Sequence, residues 1–373
     1  MKNKSIFNVI FIVLLAAIIV FFSLSYIFLP SISFSENENR VLADIPTFTF
    51  EKLLDGTYTR QLHNYFSDQV NFRSLMISAK AYIELAMGKH ENNGVLFGKD
   101  GYLIETHPYT DENYSFLLRN LKKIENLINK IDSEDMTVVY ALIPRKVDVL
   151  QNKLPPYYST ERNKLIWNEV GTAHINLTQA LINAQRTDEV FYKTDHHWTS
   201  YGAYTAYREL AFLLGFSPAY HSSFDMIELS TEFYGTSYSK SGYFLSGADV
   251  ITTPNVDKTR YQTTIVDIDL TFDGLYDESY LSKKDKYSVF LSGNNAHVKI
   301  IDTQNPDKET LLIIKDSYSH SLVPYLVDQY NIELIDPRYY TGSIEEYINE
   351  SGIKNVLFLF GIDTLASANI SIR

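Results

Sequence analysis

TLLIIKDSYSHSLVPYLVDQYNIELIDPRYYTGSIEEYINESGIKNVLFLFG, residues 310–361, decides the fold. Three short apolar runs, TLLII, IELI and NVLFLF, alternate with two stretches of helix-like patterning. Such runs suit strands covered on both faces, as in a parallel sheet. Strand-helix-strand-helix-strand within so short a span argues right-handed crossovers between parallel neighbours.

The alternation also runs upstream, from about residue 112. FLLRNLKKIENLINKI (116–131) reads as an amphipathic helix and TVVYALIP (137–144) as a buried strand. ERNKLIWNEV (161–170) and LTQALINAQ (177–185) are helix candidates around a short HINL strand. VFYKTD (190–195) reads as a strand leading into TDHHW, and SYGAYTAYRELAFLLG (200–215) as a helix ended by Gly215. Residues 216–305 lose this rhythm. They hold the turns of YGTSYSKSGYFLSG and alternating segments such as TTIVDIDLTF and YSVFLSG, and read as an irregular β-rich insertion. The expected class is α/β with a parallel sheet.

Residues 6–29 carry no charge and, at about 1.5 Å per residue, can cross a hydrocarbon core of about 30 Å. Lys2 and Lys4 precede them; Glu36, Glu38 and Arg40 follow. That bias predicts a cytoplasmic N-terminus with the remainder outside. A cleaved signal peptide is the alternative, but its apolar region should span only about 7–15 residues and end in a small-x-small site. An uncleaved single-pass anchor (1–30) is the expectation. A polar stalk (31–57), one helix over 58–87, a break at GKHENNG (88–94) and a VLFGKDGYLI hairpin turning at Lys99-Asp100-Gly101 follow. The implied organisation is anchor 1–30, stalk and helical lead-in 31–95, and an α/β domain 96–373.

A net charge of −12 makes the chain a poor general binder of nucleic acid. With no cysteine it has no disulfide, thiolate nucleophile or Cys-ligated metal. A domain outside the membrane has no access to cytosolic ATP, NAD or coenzyme A. Aromatics make up 14% of the chain, which suits either an aromatic core or platforms for sugars.

Functional residues of open α/β sheets gather at the C-terminal ends of strands. TDHHW and KDSYSH both have that character. In an extended segment Asp195 and His197 point the same way and His196 the other. A carboxylate beside an imidazole fixes its tautomer and stabilises the imidazolium, so Asp195 is the candidate orienter and His197 the candidate base. A polar helix N-terminus capped by Thr199 or Ser200 explains the same residues. So does a metal site, with His174, Asp316 and His320 as further ligands. Ser317, at a strand-to-helix turn, is a candidate nucleophile beside helix N–H groups, or simply an N-cap. Gly293 and Asn294, after the expected strand YSVFL, are candidate oxyanion donors, as is Tyr318 beside the serine. Arg145, Lys146 and Tyr238 are candidate substrate contacts.

TDHHWTSYGAY and LLIIKDSYSHSLVPYL, with SENENRVLADIP, YFSDQVNFR, NGVLFGKDGYLI, FYGTSYSKSG and IDPRYY, resemble the bacterial DHHW family. That family is related to the alginate O-acetyltransferase-like branch of the SGNH hydrolase superfamily. The resemblance implies a three-layer α/β/α domain and a Ser-His-Asp triad, here Ser317, His197 and Asp195. The Asp-His pair precedes the serine, as in that branch; Lys315 stands where the superfamily has glycine. It also implies an acetyl supplier, a multi-pass membrane acyltransferase. The resulting expectation is a membrane-anchored, cofactor-free O-acetyltransferase acting outside the cytoplasm on a cell-surface polysaccharide. A carbohydrate acetyl esterase, a non-catalytic polysaccharide-binding protein and a metal-dependent hydrolase are the alternatives.

Overall fold

The structure, a computed structural model, describes the chain except residues 1, 29, 107–109, 157, 161–166, 168–169, 171–173 and 373. The helix expected over 161–170 lies largely outside the described residues. Two compact units form, residues 1–89 with 242–245, and residues 90–241 with 246–373.

In the first unit the N-terminal helix is Lys2–Phe28, and its segment Ile6–Leu24 is long and apolar enough to cross a membrane, with none of it buried. The polar stretch after it is tied down rather than free. Phe34–Ser35 pairs with Arg40–Val41. Arg40 grips both Asp68 oxygens at 2.9 and 2.6 Å, and Arg73 reaches Glu38 at 2.7 Å. The expected single helix over 58–87 is two helices, Thr57–Asp68 and Arg73–Ala86, separated by Phe72 in the left-handed region (φ 62°). Apolar spacing continues through this break, so periodicity alone does not reveal it. Its cause is long-range, because Asp68 at the end of the first helix is bound by Arg40 and by the Ala43 amide at 2.9 Å.

The second unit is built on an eight-stranded sheet. Its strands are β1 (Thr137–Ile143), β2 (Ile175–Asn176), β3 (Tyr261–Ile265), β4 (Leu270–Asp273), β5 (His297–Asp302), β6 (Thr310–Lys315), β7 (Asn331–Ile335) and β8 (Asn355–Gly361). The order is β4-β3-β5-β7-β6-β8-β1-β2. The five strands from β7 to β2 are parallel, while β5, β3 and β4 extend the sheet as antiparallel edge strands. Much of the expected β-rich insertion is therefore part of the main sheet. Only Met226–Phe233 and Asp249–Pro254 pair as a separate hairpin. YSVFL is not a strand; Lys286–Val289 forms a 3-10 turn.

Strand side chains alternate between faces, and each face of this sheet has its own core. Val139, Ala141, Leu311, Ile313, Leu357 and Leu359 point to one side, where Ala203, Tyr207 and Leu210 of helix Ser200–Ala211 cover them. Tyr140, Leu142, Leu312, Ile314, Val356 and Phe358 point to the other. There Leu117, Leu121, Ile124, Leu127 and Ile131 of helix Asp111–Ile131 meet them at three- and four-residue spacing. Each such side chain contributes roughly 1.5–3 kcal/mol by leaving water. The result is the expected three-layer α/β/α domain. Helix Ser200–Ala211 starts at Thr199, whose hydroxyl accepts from the Gly202 amide at 3.2 Å. A Cβ on Gly202 would sit 2.2 Å from the Val190 carbonyl, so glycine is required where the helix crosses the TDHHW loop.

Candidate active site

β6 ends in Lys315-Asp316-Ser317. Asp316 is fully buried: one carboxylate oxygen accepts from the Tyr318 amide at 3.1 Å, the other from the Gly361 amide and the Thr364 hydroxyl, both at 2.7 Å. The end of β6 is thereby fixed to the end of β8. Ser317 opens a 3-10 turn, Ser317–Ser321, followed by only a short helix, Val323–Leu326. The regular helix expected here does not form; Pro324 lacks an amide for it. Lys315 is 1% exposed, with its Nζ 2.8 Å from His320 Nε2 and 3.4 Å from Asp336. Arg338 grips the same Asp336 at 2.6 Å. These partners accommodate the buried lysine at the end of β6. Burial and the Arg338 charge push the Lys315 ammonium down, against the pull of Asp336.

TDHHW is not at the end of a sheet strand. Phe191 and Trp198 make an isolated bridge, and the Tyr192 amide reaches the His197 carbonyl at 3.2 Å, so the segment folds back on itself. His196 consequently lies on the same side as His197, their ring centroids 3.9 Å apart, contrary to the extended-strand expectation. Trp198 joins the loop to the serine turn, its Nε1 donating to the Tyr318 carbonyl at 3.0 Å and to Ser321 Oγ at 2.9 Å.

Across that junction Asp195, His197 and Ser317 form a continuous hydrogen-bonded line. His197 Nδ1 donates to Asp195 Oδ1 at 2.6 Å, and His197 Nε2 lies 2.8 Å from Ser317 Oγ. A carboxylate only accepts, so the Nδ1 proton is fixed and Nε2 of the neutral ring is left to accept from the serine. Asp195 is further held by the His197 amide (2.9 Å), the Thr236 amide (2.7 Å) and the Thr236 hydroxyl (3.1 Å). Burial alone would raise its pKa, but the His196 and His197 rings and these donors outweigh it and hold the carboxyl well below the usual range. Burial, then the His196 charge, lowers the pKa of His197 despite Asp195. Burial therefore favours the neutral ring, whose Nε2 faces the serine hydroxyl. Asp195 and His197 are buried, whereas Ser317 is half-buried.

Of the other candidates, Tyr318 belongs to this cluster. Its ring stands edge-on to His197 at 5.1 Å and its hydroxyl donates to the His196 carbonyl at 2.8 Å. Lys146 does not face a substrate. It is buried and donates to the carbonyls of Leu103, Lys193 and Asp195 at 2.7, 2.9 and 3.0 Å, which makes it the support of the TDHHW loop. Burial pushes its pKa down to about 8. Arg145 is likewise buried, in a two-pronged pair with Asp148 at 2.9 and 3.0 Å. Tyr238 is buried, its ring 4.7 Å from Tyr234 and its amide bonded to the Thr194 carbonyl at 2.8 Å. The Gly293 amide is already spent on the Phe290 carbonyl at 3.1 Å, and exposed Asn294 meets Arg338 at 3.5 Å. The Asn294 contact is made through Oδ1, which accepts from the Arg338 guanidinium.

Several functional neighbours escaped the sequence reading. Tyr287 lies flat on His197, and Gly235 gives Asp195 its space, since a Cβ there would fall 2.2 Å from the Asp195 carboxylate. Trp198 was signalled by being one of only two tryptophans, within the polar motif. Asp195, His196 and His197 do offer atoms within 4.8 Å of one another, a spacing open to a metal. However, the Asp195 oxygens already accept from two amides, a hydroxyl and a ring N–H, and an ion would have to displace that set.

The mostly parallel sheet covered by helices on both faces gives the chain an SGNH-like α/β/α fold. The profile of the family described as "DHHW protein" matches residues 124–335, more than half of the 373 residues, and the chain belongs to that family. A DHHW family protein from Eubacterium siraeum superposes with TM-score 0.60 at 23% identity, covering 75% of this chain and 94% of that one. PatB1 from Bacillus cereus, solved with a sulfonyl adduct, gives TM-score 0.58 at 17% identity, covering 73% and 95%. The "Probable alginate O-acetylase AlgJ" of Pseudomonas syringae pv. tomato is 23% identical over 185 residues, 46% of either chain. The chain thus matches about half the length of these curated relatives.

Proposed function

We propose that the chain is a membrane-anchored O-acetyltransferase working outside the cytoplasm on a cell-surface polysaccharide. The observation that carries this reading is the 2.8 Å contact between His197 Nε2 and Ser317 Oγ, backed by the 2.6 Å contact to Asp195. A serine becomes a useful nucleophile when a base within hydrogen-bond reach is itself oriented by a third group.

In this reading His197 Nε2 takes the Ser317 proton as Oγ attacks the carbonyl carbon of an acetyl donor. The carbonyl electron pair moves onto oxygen. It returns as the bond to the donor's leaving group breaks, and that group departs with the proton from His197. A sugar hydroxyl then attacks the acetyl-serine carbonyl and loses its proton to His197, and collapse restores Ser317 Oγ–H. Asp195 stays ionised and stabilises the imidazolium in both halves. The acetyl donor is supplied by a multi-pass membrane acyltransferase. The polysaccharide acceptor is supported by the name of the AlgJ relatives, and the anchor by the apolar helix with Lys2 and Lys4 before it.

The test uses the full chain with p-nitrophenyl acetate, with and without oligosaccharide, the products being weighed by mass spectrometry. Acetylated sugar is the expected product, and Ser317→Ala should lose several powers of ten in rate. A phenylmethylsulfonyl adduct should form on the wild type and not on Ser317→Ala. Acetate alone in every acceptor tested identifies an esterase. Tight glycan binding with an inert serine identifies a binding protein. A Ser317→Ala variant with undiminished turnover removes the assignment.

A further inference from the structure

The first compact unit inverts the usual rule for surface helices, which bury an apolar face and expose a polar one. In helix Arg73–Ala86 the buried residues are Ser78 and Ala81. Its large apolar residues face outward: Phe72, Leu75, Met76, Ile83 and Met87 are 58, 66, 42, 60 and 81% exposed. At about 100° per residue they fall within an arc of roughly 120°. The short helix Phe50–Leu54 buries nothing, and Phe50, Leu53 and Leu54 are all exposed.

One end of the stripe is fixed to the apolar span. Phe21, within Ile6–Leu24, stacks on Phe72 with centroids 6.2 Å apart and planes at 16°. Tyr26, just past the span, stands edge-on to Phe66 at 5.3 Å and donates its hydroxyl to the Phe66 carbonyl at 2.6 Å. Gln69 bonds both the amide and the carbonyl of Ile32 at 2.9 Å. Phe72 is therefore held at the level of the last turn of the span, where hydrocarbon gives way to headgroups.

We infer that helices 50–54 and 73–86 form a collar lying in the interfacial layer of the bilayer that the N-terminal helix crosses, with lipid as the occupant of the exposed apolar stripe. Continuity with the span favours lipid, because the stripe begins on a residue already packed against it. Aromatic and long apolar side chains suit this depth, and Lys80, at the stripe's edge, can extend its ammonium to the headgroups. The inference rests on the anchor reading above and adds a second membrane contact.

The absence of cysteine makes the test direct, since single cysteines carry a nitroxide without background. The full chain, labelled in turn at Leu54→Cys, Leu75→Cys, Met87→Cys, Val13→Cys and Glu112→Cys, is reconstituted in phosphatidylcholine–phosphatidylglycerol vesicles. Accessibility to oxygen in the lipid and to an aqueous nickel chelate is then read by power saturation. Positions 54, 75 and 87 should lose most of their nickel accessibility relative to 112 and report a depth shallower than 13. Nickel accessibility equal to that of position 112, with position 13 embedded, overturns the collar and leaves the anchor standing. Protection from both probes assigns the stripe to protein, a second copy or a partner, and also overturns it. An unembedded position 13 removes the anchor reading and the collar with it.

Discussion

Tyr287 lies parallel to the His197 imidazole, ring centroids 3.9 Å apart and planes at 11°, with its hydroxyl directed at Ser321 Oγ (3.2 Å) and the Ser317 carbonyl (3.4 Å). The imidazole is thus fixed from three sides, by Asp195 at Nδ1, Tyr287 on its face and Tyr318 at its edge.

An aromatic face stabilises a cation above it by about 0.5–2 kcal/mol, so Tyr287 would favour the imidazolium of the proposed reaction. Tyr287→Phe should keep the stack and most of the activity. Tyr287→Leu should lower kcat by about tenfold and move the acid limb of the rate profile downward by up to about one pH unit. Equal loss in both variants would assign the effect to the hydroxyl instead.

Gly235 is the floor beneath Asp195. Gly235→Ala forces the carboxylate away from its place opposite the Thr236 amide, and displacements near 1 Å cost on the order of 10²-fold in rate. The expected outcome is a loss of at least that size in kcat with unchanged far-ultraviolet circular dichroism. A variant at wild-type rate shows that Asp195 does not orient the base.

The pH dependence has a definite sign. In the proposed reaction the working form of His197 is neutral, and burial with the neighbouring His196 lowers its pKa from the ordinary 6.5. Activity should therefore rise with pH through a midpoint below 6.5 and be flat at neutral pH. The groups facing the ring are Asp195, His196, Ser317, Tyr287 and Tyr318. A midpoint above 7 in kcat/KM would contradict the neutral-base assignment.

Lys146 holds three backbone carbonyls, including that of Asp195. Lys146→Met leaves these acceptors without their donor, at about 1–3 kcal/mol for a buried unsatisfied group. Thermal unfolding should shift downward and kcat should fall with it. A substrate contact would instead raise KM at unchanged stability.

The parallel sheet and the serine were legible because both are local patterns. TLLII is a continuous run suited to a buried strand, and Ser317 follows two polar residues after it. The spacing of Asp195 and His197 made their pairing legible, but the segment is a tight fold-back rather than an extended strand, and His196 shares its side. Tyr287 was hidden because YSVFL reads as a strand and forms a 3-10 turn, and its partner lies far away in sequence. Lys146 and Arg145 misled for a related reason. Charge after a strand resembles a binding group, but the Lys146 ammonium is spent on three backbone carbonyls and Arg145 is paired with Asp148, partners that composition does not reveal.

Strand order has a consequence for biogenesis. The strand that ends at the serine sits between β7 and β8, both later in sequence, while the histidine loop comes over a hundred residues earlier. A chain emerging N-terminus first therefore carries His197 long before the seat of Ser317 exists. A nascent fragment that stops short of Gly361 lacks the amide that clasps Asp316. The line from Asp195 through His197 to Ser317 is therefore seated only once the last strand of the sheet has been made.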